Sequence, residues 1–105
     1  MKLMPGIKVE ITRFVAADQP GFVECQFVDS RNRLHSFIEK IPVVTDADLW
    51  SDSDYPQHGI IECELLERSA DEFGETAVVS TVRPWGVESV NGLTQFVIRS
   101  ETLVE

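Results

Sequence analysis

Ile7-Lys8-Val9-Glu10-Ile11-Thr12-Arg13-Phe14 is the stretch on which the fold turns. Apolar residues at 7, 9 and 11 alternate with Lys8, Glu10 and Thr12, the period-two signature of a strand with one face buried. No window of eleven or more residues carries an apolar stripe at helical spacing, so the same grammar governs the rest of the chain. The expectation is an all-β protein.

Pro20-Gly21 opens a second strand, in which Val23, Cys25 and Phe27 point inward against Glu24 and Gln26. Asp29 to Arg33 has turn composition. Leu34 to Val44 then alternates imperfectly, with Phe37 and Ile41 opposing Leu34 and Ile38, which suggests a bulge or a strand buried on both faces. Thr45 with Asp48 three residues on has the form of a helix cap, so Asp46 to Trp50 reads as one short helical turn. Ile61, Cys63 and Leu65 mark a fourth strand reaching about Arg68. Glu75 to Val82 is the fifth, Pro84-Trp85-Gly86 interrupts the chain, and Leu93 to Arg99 is the sixth.

Strand, strand, strand, short helix, strand, strand is similar in element order to an OB-like barrel. That resemblance implies a small six-stranded, partly open barrel with one helical turn between strands 3 and 4, spanning residues 1–105 as a single domain. Gly21-Phe22-Val23-Glu24-Cys25-Gln26-Phe27 is echoed by Gly59-Ile60-Ile61-Glu62-Cys63-Glu64-Leu65, an offset of 38 residues. Duplication into pseudo-symmetric halves and convergence on one strand grammar both account for the echo.

Charge narrows the function classes. With 18 Asp and Glu against 9 Lys and Arg, the net charge is −9, a field that repels phosphate backbones and anionic headgroups. Nucleic acid and membrane are therefore not expected as partners, and the oligonucleotide chemistry of many OB folds does not transfer. Met1 to Gly6 lacks a signal-peptide apolar core, and Cys25 and Cys63 form no CxxC pair, so a cytoplasmic protein with both thiols reduced is expected.

Catalysis finds little support. His35 and His58 are the two histidines, no GxSxG or glycine-rich phosphate loop occurs, and inward cysteines make poor nucleophiles. Cys25 and Cys63 match no zinc spacing and read as small core hydrophobes. Asp46, Asp48, Asp52 and Asp54 lack the order of an EF-hand loop. No cofactor, metal or catalytic residue is expected, and the chain does not read as an enzyme.

Trp50, Tyr55 and Trp85 lie at irregular segments. They act either as lids over the ends of the barrel or as anchors of a contact patch. The sequence reads as a binding module. The loop Thr45 to Pro56 and the bend at Trp85 touch another protein, while Asp46, Asp48, Asp52 and Asp54 steer a basic partner. An immunity-type inhibitor of a basic toxin is one form of this. A homo-oligomer joined along the strand at Leu93 or at Ile7 is the alternative, ahead of a small enzyme or metal protein.

Overall fold

The computed structural model describes residues 4–18 and 20–105; Gln19, placed by the sequence in the first turn, and residues 1–3 lie outside the described residues. Eight strands form among the described residues: β1 (Gly6–Ala16), β2 (Phe22–Val28), β3 (Leu34–Lys40), β4 (Gln57–Glu62), β5 (Glu64–Asp71), β6 (Gly74–Ser80), β7 (Gln95–Arg99) and β8 (Leu103–Val104). One helical turn, α1 (Ile41–Val44), follows β3, and a 3-10 turn, Ser100–Thr102, precedes β8. All pairings are antiparallel.

The alternation that opens the chain does what its period demands. Ile7, Val9 and Ile11 are buried, as are Val23, Cys25 and Phe27 opposite them. β1 is the centre of a five-stranded sheet ordered β3-β2-β1-β4, with β8 also on β1, while β5-β6-β7 form a second, three-stranded sheet. Register shifts between Ile11 and Arg13 and between Phe14 and Ala16 bend β1. Buried side chains of both sheets form one core, in which Phe96 of β7 meets Phe27 and Phe37 edge-on at 5.2 and 5.7 Å.

The expected six-stranded barrel is corrected in two respects. The run from Ile61 to Arg68 is two strands in different sheets. At Cys63 the backbone N–H bonds the Pro5 carbonyl at 2.8 Å, and the chain then crosses from β4 to β5. The sheets do not close into a barrel: β3 and β7 sit in separate ladders, and the flanking loops span the gap with single bonds, Ser30 N–H to Val97 O at 2.9 Å and Val90 N–H to Ser36 O at 2.8 Å. β8, two residues long, adds the remaining strand.

The helix also differs in position. Asp46 to Trp50 forms a bend and irregular chain, and the helical turn lies just before it. Pro42 in the first turn presets a helical torsion, and Ile41 and Val44, three apart, are both buried. Burying two such side chains is worth about 1.5–3 kcal/mol each, which outweighs a propensity deficit of at most about 0.7 kcal/mol per residue. The irregular alternation after Leu34 is therefore a strand-to-helix switch. Leu34 and Ile38 face outward, and β3 is not buried on both faces.

Candidate functional site

The loop from Thr45 to Pro56 is held by its own polar groups. The Thr45 hydroxyl accepts the Ala47 N–H at 3.1 Å, forming a bend where a helix cap was expected. Leu49 is buried, and Tyr55 packs against the core while its hydroxyl donates to the Trp50 carbonyl at 2.7 Å. The Trp50 N–H donates to Ser53 Oγ at 2.9 Å. Trp50 thus has its backbone fixed at both polar atoms and its side chain 64% exposed. Of the two aromatics in this loop, Tyr55 covers core and Trp50 faces out.

Trp85 sits on another clamped segment, between Thr81 and Thr94. Thr81 is fully buried: its N–H donates to Thr94 O at 2.8 Å and its hydroxyl to Val87 O at 2.6 Å. Gly86, at φ +64°, donates to Val82 O at 2.8 Å, the tight bend that Pro84-Trp85-Gly86 predicts. Ser89 Oγ accepts from Leu93 N–H at 3.0 Å. The Trp85 indole N–H donates to Glu62 Oε1 on β4 at 3.1 Å, tying this loop to the first sheet.

Two surface clefts meet at Pro42. One, of about 450 Å³, runs between α1 and β4 and is lined by Asp46, His58, Ile60 and Glu62 among others. The second, of about 240 Å³, has Phe14, Ile41, Pro42, Leu49 and Trp50 along its walls with Asp18 and Asp48 beside them. Among the described residues neither is lined by a lysine or arginine. Asp46 and Asp48 therefore lie in neighbouring clefts, whereas Asp52 and Asp54 line neither. Among the described residues none of these four aspartates is in an ion pair, and no group of three or more His, Cys, Asp or Glu side chains is gathered as a ligand set.

Cys25 and Cys63 are buried and unbridged. Burial, with Glu39 and Glu24 adding negative charge, pushes the Cys25 thiol up to about 12, and burial alone takes Cys63 to about 11. Both stay protonated at neutral pH and supply neither thiolate nucleophile nor ready metal ligand.

One polar cluster was not singled out by the sequence. Asp29, only 4% exposed, accepts the backbone N–H groups of Arg31 and Arg33 at 2.8 and 3.0 Å, and Oδ2 takes Arg33 Nε at 3.0 Å and His35 Nε2 at 2.8 Å. The His35 ring lies against Phe27 and Phe96. Through these bonds Asp29 organises the β2–β3 turn. An aspartate opening a turn six residues before a histidine was the available signal.

Comparison of the chain with known protein families, with curated proteins and with solved structures gave no match.

Proposed function

We propose that this protein is a non-catalytic recognition module that binds a basic protein segment across the face running from Trp50, over Pro42, toward Trp85. The observation that carries the reading is the sign of the charge around Pro42. Asp18, Asp46, Asp48 and Glu62 line the two clefts there beside apolar residues, with no lysine or arginine among the described lining residues. Such a face steers a cationic partner and rejects an anionic one. Clamped backbones beneath two half-exposed or more exposed indoles lower the ordering cost of contact, and tryptophan is the residue type that most often dominates such contacts. An inhibitor masking a basic enzyme is one form this would take.

Self-association along the strand at Ile7 is disfavoured where β4 pairs with Gly6 to Ile11, whereas β7, the strand reached from Leu93, is an edge of the second sheet and keeps edge-to-edge pairing as the second reading. The test is a panel of peptides matched in length and apolar content but varied in charge, titrated at low and at 0.5 M-range salt and read by fluorescence anisotropy. Binding confined to Lys- and Arg-rich members, weakened by salt and by Trp50→Ala, is expected. Equal binding of neutral or acidic members would sink the proposal.

A further inference from the structure

We infer that the Phe14–Trp50 cleft receives one arginine side chain of the partner, an assignment that rests on the acidic-face reading above and names the group recognised. At about 240 Å³ the cleft is below the range of a small-molecule pocket and holds a single side chain. Its composition is split: Phe14, Ile41, Leu49 and Trp50 supply apolar and aromatic wall, and Asp18 and Asp48 supply charge. An apolar side chain would desolvate both carboxylates without pairing them. An acidic one would be repelled.

A long cationic side chain satisfies both halves, its stem against the apolar wall and its head at the carboxylates. Arginine fits better than lysine, because its guanidinium is planar, weakly hydrated, stacks on an indole and offers five donors to two acceptors. Gly21 lets Phe14 and Ile41 pack closely at this cleft: a Cβ there would meet the Phe14 ring at 3.0 Å and Ile41 Cδ1 at 3.2 Å. The backbone of Trp50 is already held by Ser53 and Tyr55, so only the indole torsions remain to be ordered when the guanidinium stacks on it.

The experiment is an amide and indole NMR titration of the whole chain with four capped tripeptides, Gly-X-Gly, where X is arginine, lysine, citrulline or leucine. Saturating shifts with the arginine peptide, centred on Phe14, Gly21, Ile41, Leu49 and the Trp50 indole, are expected. Lysine should bind several-fold more weakly, and citrulline, equal in shape but uncharged, should cause none of these shifts. Asp48→Asn, at an exposed position, should weaken the arginine peptide about tenfold. Equal response to citrulline or leucine, or shifts centred elsewhere, would overturn the assignment. A longer basic peptide separates the two levels: if it binds through His58 to Glu62 alone, the acidic-face reading survives and the arginine cleft falls. If no basic peptide perturbs the protein, both fall.

Discussion

Asp29 and Glu39 are two carboxylates on the inner side of the same hairpin with opposite effects on stability. Burial alone would raise Asp29, but the hydrogen bonds from His35, from the Arg33 and Arg31 backbone and from the Arg33 side chain outweigh it and hold the group below its ordinary 3.8. A depressed folded-state pKa contributes stability above the unfolded value and loses it as pH falls through the folded one. Asp29→Asn should therefore cost about 2–3 kcal/mol in urea denaturation at pH 7, and the gap to wild type should close below pH 3.8. Glu39 is raised above 4.5, chiefly by burial, against a smaller opposing pull from Lys40. Its charge costs stability at neutral pH, so Glu39→Gln should raise the urea midpoint at pH 7, with the gain fading as pH falls toward 4.5. A Glu39→Gln midpoint at or below wild type at pH 7 would refute this.

At the scale of elements, α1 gives the two glycines of the echo a physical reason. The helical turn packs between the start of β2 and β4, touching one glycine of each copy. Ile41 lies at Gly21, whose carbonyl also accepts the Ile41 N–H at 3.0 Å, and the Val44 carbonyl would be 2.9 Å from a Cβ on Gly59. Gly59 faces a backbone carbonyl that cannot yield, whereas Gly21 faces side-chain ends that can. Gly59→Ala is expected to cost about 1–3 kcal/mol and Gly21→Ala less, as thermal unfolding of the two variants would register. The copies otherwise diverge: Cys25 stays within one strand, while Cys63 is the crossing between sheets. Along β5, Glu64, Glu67, Arg68 and Asp71, with a register shift between Leu65 and Glu67, guard the edge of the second sheet against pairing.

For the molecule as a whole, the sheets share one core although their ladders are separate, so they are expected to unfold together. Trp50 reports on a loop of the first sheet and Trp85 on a loop of the second. In Trp50→Phe and Trp85→Phe, the remaining indole should show the same urea midpoint, coincident with far-UV circular dichroism. Separated midpoints would divide the chain into two units. The charge on this body is unevenly disposed: the described residues lining the clefts at Pro42 include four acids and no lysine or arginine, whereas Arg99 is held in a two-point pair with Asp71 at 2.7 and 2.9 Å beside Phe73. That asymmetry is what the proposed partner would read.

The inward faces of β1 and β2 were legible in the sequence, because alternation is a local consequence of strand geometry. So were the bend at Gly86, the two buried thiols and the acidic balance. The crossing at Cys63 left no trace in the pattern: Ile61 and Cys63 are both buried and Leu65 partly so, and two sheets around one core keep the same inward parity through the break. The four residues of α1 read as strand by composition, and burial of Ile41 and Val44, with Pro42 in the first turn, makes them helix. Trp50 and Tyr55 looked alike as loop aromatics. Their division into an exposed ring and a core cover, and the meeting of Asp18 with Asp48 beside Phe14, join residues far apart in the chain, and only tertiary packing decides which of those come together.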